Sequence, residues 1–157
     1  KKINIINCGI SDKSGKIAFY KNLETSSSTI NKLNKESNYY KKKYFLLNFF
    51  NSDEIEKKID IDVIRLEEFI KSKKIEKIDL IKIDTEGFEF RVLKSLGEKI
   101  YNVKIIHFEH HFDDMIIKNY NLTDIHSYLK KKGFIKFFKI KMKFRKSFEY
   151  LYINKNL

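Results

Sequence analysis

Three carboxylates stand close together in the middle of the chain, at Asp84, Glu86 and Glu89. They directly follow residues 78–83, whose apolar side chains on both faces predict a strand that is buried on both sides. Ligands of open α/β sheets bind just outside the carboxyl ends of such strands. Because carboxylates attract cations and accept protons from hydroxyl groups, the pattern predicts a functional site with Asp84 at the rim of a sheet.

The same carboxylates also have a structural interpretation, which the sequence leaves open. An apolar helix is predicted directly after them, and acidic side chains in its first turn would stabilise the helix dipole. Glu86 and Glu89 suit this role as well as a ligand-binding one, and Asp84 could cap the same helix.

A second polar group, made of Glu109, His110 and His111, follows residues 103–108, which also predict a buried strand. A helix between two strands indicates a right-handed crossover between parallel strands, so Glu109 and His110 are expected at the same edge as Asp84. Histidine titrates near neutral pH and therefore suits a general base. We assign Asp84, Glu109 and His110 to catalysis, with His111 as the alternative to His110, and we assign no metal site.

The other elements fit one α/β domain over residues 1–157. Further strands are predicted over residues 3–10, 17–20, 59–63, 134–144 and 148–153, and helices near residues 66–70 and over 123–132, with Thr123 as N-cap and Gly97 and Gly133 as helix ends. A short link joins the last two strands and predicts an antiparallel hairpin. Residues 39–50 predict either an amphipathic connection packed on the core or a wall of the substrate site.

Composition narrows the classes of function. The 157 residues carry a net charge of +12, but the lysine excess accompanies abundant Ile, Asn, Tyr and Phe and indicates compositional bias, so nucleic acid is not expected as a partner. One cysteine rules out a disulfide framework. No apolar run approaches the roughly 18 residues of a membrane span, and a cytoplasmic location is expected.

The central stretch resembles the signature of FkbM-type methyltransferases, in which a strand runs into Lys-Ile-Asp-x-Glu-Gly-x-Glu and then a Val-Leu helix. Here it reads Lys82-Ile83-Asp84-Thr85-Glu86-Gly87-Phe88-Glu89, followed by Val92-Leu93-Lys94. The flanks are similar to the family at Asn7-Cys8-Gly9-Ile10-Ser11-Asp12, at Val63-Ile64-Arg65-Leu66-Glu67-Glu68 and at Ile105-Ile106-His107-Phe108-Glu109. Glu67 stands where the family usually has Asp.

This resemblance implies a three-layer Rossmann-like methyltransferase sheet, mostly parallel, with a C-terminal antiparallel hairpin. It implies S-adenosylmethionine as the cofactor and a hydroxyl of a glycan, lipid or small metabolite as the methyl acceptor. By the same resemblance Asp12, Asp84 and Glu86 are expected to bind the cofactor, with Asp12 near the adenine amino group.

One element of the family pattern has no counterpart in the sequence. The family places a glycine-rich strand–turn–helix first, whereas none of the five glycines here forms a Gly-x-Gly. The chain is therefore expected to be N-terminally truncated, with the C-terminal two-thirds of the domain, and to bind the cofactor weakly by itself. Such a domain would also leave an exposed sheet edge that favours self-association.

A non-catalytic module is the alternative function. The lysine-rich residues 136–143 alternate with aromatic side chains and could bind nucleic acid or another partner through a basic, aromatic face. Alternation with a period of two is also typical of a solvated edge hairpin, which we prefer.

Overall fold

The computed structural model describes residues 3–22, 28–48, 56–143 and 146–157. The strands are β1 (Gly9–Ile10), β2 (Gly15–Asn22), β3 (Glu56–Ile64), β4 (Ile78–Ile83), β5 (Val103–His111), β6 (Phe134–Lys141) and β7 (Ser147–Asn154). The helices are α1 (Asn38–Asn48), α2 (Leu66–Ser72), α3 (Glu89–Ser95) and α4 (Leu122–Lys131), with a 3₁₀-helix at Gly97–Asn102. None of the described helices is long and apolar enough to cross a membrane.

The described strands form two sheets. One has the order β1-β3-β2 and the other has the order β4-β5-β7-β6. The predicted parallel crossover from β4 to β5 and the predicted hairpin of β6 and β7 are both confirmed. The expected mostly parallel arrangement is not confirmed, because β2 runs antiparallel to β3 and β7 runs antiparallel between β5 and β6.

β4 begins and ends where the sequence predicts, but it is not covered on both faces. It lies at the edge of the four-stranded sheet, and Leu80 keeps 54% of its surface exposed while Ile83 is buried. Among the described residues β4 has a strand neighbour on one side only. Some of its apolar side chains therefore remain exposed, although their pattern predicts burial on both faces.

The predicted first strand over residues 3–10 is wrong for most of its length. In the described ranges only Gly9 and Ile10 of this segment pair, with Val63 and Ile64 of β3, and the side chain of Ile5 is almost fully exposed. Residues 3–8 have the composition of a strand but no strand partner among the described residues. In contrast, β2 pairs with β3 along its whole length and is longer than predicted.

The main core lies between the four-stranded sheet and the helices that follow its strands. Its most buried side chains come from α2, from α3 and the residue that ends it, and from β5, α4 and β7; they include Ile70, Leu93, Leu96, Ile106, Phe108, Leu129 and Tyr150. A smaller cluster of Leu33, Met115 and Ile116 receives Tyr39 and Tyr40 from the start of α1. This packing agrees with the predicted amphipathic connection; residues 49 and 50 of that prediction lie outside the described residues.

The helix ends are set by particular side chains and glycines. Asn121, and not the predicted Thr123, caps α4: its side chain accepts from the Asp124 N–H at 3.1 Å, and the Asp124 carboxylate accepts from the Asn121 N–H at 2.8 Å. This reciprocal capping box satisfies the N–H groups of Asn121 and Asp124, so the cap lies two residues before the predicted one. Gly97 and Gly133 both have positive φ at the ends of helices, as predicted.

Candidate active site

β5 extends three residues beyond its predicted end, and this extension decides which side chains meet. Pairing with β7 continues through Glu109, His110 and His111. Because successive side chains of a strand point to opposite faces, Glu109 and His111 share one face and His110 points to the other.

On that shared face His111 lies among three carboxylates. Its Nε2 atom is 3.4 Å from Oε2 of Glu86 and 3.6 Å from Oε1 of Glu109. Its Nδ1 atom is 3.5 Å from Oδ2 of Asp113. We call these four residues the His111 cluster; it joins the loop after β4 to the end of β5 and the segment that follows.

Charge and burial oppose each other in the His111 cluster. Burial works to lower the pKa of His111, but Asp113, Glu86 and Glu109 together raise it above the ordinary value. The pKa of Asp113 is lowered, since His111 and the Met115 N–H outweigh the effect of burial. The cluster therefore favours an imidazolium between carboxylates.

Two atoms of the His111 cluster are buried without a hydrogen-bond partner: Oε1 of Glu109 and Nε2 of His111. Buried polar atoms rarely lack a hydrogen-bond partner in native proteins, so each of these two atoms needs an explanation. The described residues contain no group of His, Cys, Asp and Glu side chains arranged to hold a metal ion, and we assign no metal ligand here.

Glu86 reaches His111 because the loop after β4 has an unusual backbone. Glu86 itself has a φ of 47° and Gly87 a φ of 88°, conformations that cost energy for a residue with a side chain. Thr29 donates to the Glu86 carbonyl at 2.7 Å and the Asn31 amide donates to the Gly87 carbonyl at 2.5 Å. The segment before α1 thus holds the loop from one side.

Glu89 holds the same loop from the other side. Its carboxylate is 1% exposed and accepts from the Gly87 N–H at 2.7 Å and the Tyr120 hydroxyl at 2.5 Å. Burial raises the pKa of Tyr120, and the Glu89 charge raises it further, so the phenol stays protonated as a donor. Glu89 is an anchor of the loop rather than an exposed acid at a helix end.

Lys118 adds a partly buried cation next to these groups. Its ammonium donates to the His111 carbonyl oxygen. Burial lowers the pKa of Lys118, although Glu89, Asp113 and Glu86 partly offset that effect.

His110 lies apart from the His111 cluster. It is 3% exposed and packs edge-on against Phe112, with ring centroids 5.0 Å apart. Burial, followed by the charge of Lys118, lowers the pKa of His110 to about 4. This histidine is therefore neutral at neutral pH, and it faces away from Glu109.

Asp84 is exposed at the mouth of a cleft between the two sheets. The cleft has a volume of about 650 Å³ and also contains Thr85 and Gly9. Its apolar lining includes Ile10, Phe19, Ile61, Leu66, Phe88 and Val92. The position is the predicted one, just outside the carboxyl end of β4.

Asp12 borders a different cavity from Asp84. It accepts from the Ser11 hydroxyl at 3.2 Å and lies 3.7 Å from the Arg91 guanidinium. This second cavity, of about 550 Å³, lies between α3 and α4 and is lined by Phe90, Tyr120 and Tyr128 among others. The three residues expected at the cofactor thus lie in three places: Asp84 in the cleft, Asp12 in the second cavity and Glu86 in the His111 cluster.

Sequence reasoning missed several residues of the site. The sequence indicates His111 only as an alternative to His110, and it does not single out Asp113, Lys118 or Tyr120. The strand pattern of residues 103–108, continued for three more residues, would have put Glu109 and His111 on one face. No sequence signal marks Tyr120 as the partner of Glu89, since 31 residues separate them.

Comparison with known proteins agrees with the resemblance in the sequence. The family model described as the methyltransferase FkbM domain matches residues 1–136. No curated protein and no solved structure matched the chain significantly. The α/β architecture with two mixed sheets is consistent with a methyltransferase-like fold. The chain belongs to the FkbM methyltransferase domain family.

Proposed function

We propose that the protein is an S-adenosylmethionine-dependent O-methyltransferase that acts on a hydroxyl of a glycan, lipid or small metabolite. The observation that carries the proposal is the FkbM domain match together with Asp84 at the mouth of the cleft beyond β4. A methyltransferase of this kind needs a cation-binding region next to a group that handles the acceptor proton. The cleft and the His111 cluster are candidates for these two parts.

The cleft suits a small cofactor in size and chemistry. Its volume of about 650 Å³ falls in the range of about 300–1,000 Å³ that is usual for small-molecule sites. The lining is apolar, and the Asp84 carboxylate at the mouth favours a positively charged ligand. When bound, S-adenosylmethionine supplies an electrophilic methyl group on a sulfonium ion.

The residues of the chain have separate parts in this proposal. Asp84 attracts the cationic cofactor, and Glu86 and Glu109 provide negative charge near the acceptor proton. Asp12 lies beyond the cleft, beside Arg91, and we assign it no contact with the cofactor. We also assign His110 no proton transfer, because it faces the opposite side of β5 from Glu109.

The nucleic-acid-binding alternative is not favoured by the family match. The hairpin of β6 and β7 has the predicted alternation, and β6 is exposed along nearly its whole length. A solvated edge strand accounts for its lysines.

The test is methyl transfer by the protein. Methyl-labelled S-adenosylmethionine is incubated with separate pools of glycans, lipids and hydroxyl-bearing metabolites, and label is followed into products that resist mild alkali, as ethers do and esters do not. We expect label in an ether product from one pool. Absence of transfer from every pool, combined with steeply salt-dependent binding of single-stranded nucleic acid, would contradict the proposal.

A further inference from the structure

We propose that a cavity at the edge of the four-stranded sheet opposite Asp84 binds a small organic anion with an apolar body, such as an alkyl or aryl carboxylate. The cavity has a volume of about 520 Å³ and lies between α4, the start of β6 and the end of β7. We call it the Tyr152 cavity. This inference concerns a second ligand site and goes beyond the proposed methyl transfer.

The directions of the strands separate the Tyr152 cavity from the candidate active site. β5 runs parallel to β4, and β7 runs antiparallel to β5, so the end of β7 lies at the edge where β4 and β5 begin. The start of β6 pairs with this end of β7, with Phe134 opposite Asn154. Asp84 follows the other end of β4. A ligand in the Tyr152 cavity is therefore distinct from the cofactor and the methyl acceptor.

The first argument is the apolar part of the lining. Phe134 and Tyr152 are 2% and 3% exposed, and Ile135 is 39% exposed; all three side chains line the cavity. Its volume of about 520 Å³ lies within the range of about 300–1,000 Å³ that is usual for small-molecule sites. Apolar walls stabilise a ligand that has hydrocarbon to bury, and they contribute nothing to the binding of a simple inorganic ion.

The second argument is the charge around these walls. Among the described residues, the charged side chains that line the cavity are all lysines, at Lys130, Lys136 and Lys155. None of the three side chains forms an ion pair or a hydrogen bond within the described part of the chain. A concave surface with charge of one sign and apolar walls concentrates ligands of the opposite sign. Compositional bias accounts for the number of lysines in the chain, but not for three of them around one apolar cavity.

The third argument is a hydrogen-bond donor beside the lysines. The Tyr152 hydroxyl is hydrogen-bonded to Nδ1 of His126, and both residues line the cavity. Burial raises the pKa of Tyr152 and lowers the pKa of His126, which the charges of Lys136 and Lys139 lower further. The phenol therefore keeps its proton and donates to Nδ1, so the neutral imidazole carries its own proton on Nε2. An N–H donor next to ammonium groups favours a carboxylate.

Calorimetric titration of the protein with three probes tests the proposal. Octanoate has both a carboxylate and an apolar chain, octanol has only the chain, and acetate has only the carboxylate. We expect saturable binding of octanoate with a Kd of roughly 1 mM or tighter, and binding of octanol and acetate that is weaker by about tenfold or more. Absence of saturable octanoate binding, or equally tight binding of octanol or acetate, would overturn the proposal.

Matched substitutions on β6 test the two parts of the site separately. Lys136→Gln and Ile135→Ala change residues that line the cavity, whereas Lys141→Gln and Ile140→Ala change exposed residues of the same strand outside its lining. We expect Lys136→Gln and Ile135→Ala each to weaken octanoate binding roughly fivefold, through lost charge attraction and lost apolar contact. The two control variants should bind as the wild type does. Equal weakening by Lys141→Gln would mean that only the net charge of the chain attracts the probe, which would overturn the proposal.

Histidine-ring ¹⁵N spectra show where the probe binds in the unsubstituted protein. The four histidines are assigned by single His→Gln variants, and octanoate is then added stepwise. We expect the His126 signals to move, whereas those of His107, whose side chain lies on the opposite face of the sheet from Tyr152, should stay in place. Movement at His107 or His111 without movement at His126 would overturn the proposal. Neither measurement depends on methyl transfer, so this inference and the proposed function can fail independently.

Discussion

The buried carboxylate of Glu89 offers the sharpest test of how the site is held together. We predict that Glu89→Ala strongly destabilises the protein although Glu89 belongs to a signature whose other acids are more exposed. The substitution leaves the Gly87 N–H, now 2.7 Å from the carboxylate, with no acceptor. It also removes the acceptor of the Tyr120 hydroxyl at 2.5 Å.

The size of the effect follows from these two bonds. Hydrogen bonds to a charged group contribute about 1.5–3 kcal/mol each, so the loss of two corresponds to about 3–6 kcal/mol. Glu89→Gln should cost less, about 1–2 kcal/mol. Its amide oxygen can still accept from Gly87, and the Tyr120 hydroxyl can donate to the Gly87 carbonyl, which is 3.0 Å away.

Urea unfolding monitored by circular dichroism measures the difference. The matched control is Glu98→Ala: the Glu98 side chain is 77% exposed and pairs with Lys132 at 3.3 Å. Surface pairs of this kind contribute about 0–1 kcal/mol. Equal losses for Glu89→Ala and Glu98→Ala would refute the role of Glu89 as the anchor of the loop.

Three other predictions concern different parts of the molecule. Gly87→Ala should destabilise by about 1–2 kcal/mol or more, as judged by thermal unfolding, because φ is positive there and the new Cβ would lie 2.7 Å from Ile116. The pKa of His110 is about 4 in the folded protein and about 6.5 in the unfolded chain. Between about pH 6.5 and about pH 4 the unfolded chain therefore binds more protons, and the free energy of unfolding decreases as the pH is lowered. His110→Leu should make the urea midpoint depend less on pH over this range. Sedimentation should show self-association that Leu80→Lys reduces, since Leu80 is exposed on the edge strand β4.

Local sequence patterns predicted the elements that pack against segments close to them in the sequence. β4 and its helix follow from an apolar run and an amphipathic repeat, and the hairpin of β6 and β7 follows from alternation and a short link. The failure at residues 3–8 has a physical reason: alternation shows that a strand is possible, but hydrogen bonds need a partner strand. Within the described part of the chain, only Gly9 and Ile10 have such a partner.

The site was predicted at the level of the sheet edge but not at the level of side-chain pairs. Asp84 lies where expected, because the carboxyl end of a parallel strand is a local property. The polar run Glu109–His111 resembles a loop, yet pairing with β7 extends the strand through it. That pairing places His111, not His110, beside Glu109. The burial of Glu89 likewise depends on Tyr120, and no residue near Glu89 in the sequence predicts that contact.

Methyl transfer by the Asp84→Asn and Asp79→Asn variants of the protein tests the central claim most directly. Both acids are exposed at opposite ends of β4, so the pair separates the carboxyl end of the strand from general effects of charge. We predict that Asp79→Asn keeps wild-type kcat/KM, whereas Asp84→Asn loses roughly 10²-fold, about 2.7 kcal/mol of transition-state stabilisation. Full activity in Asp84→Asn would contradict the account.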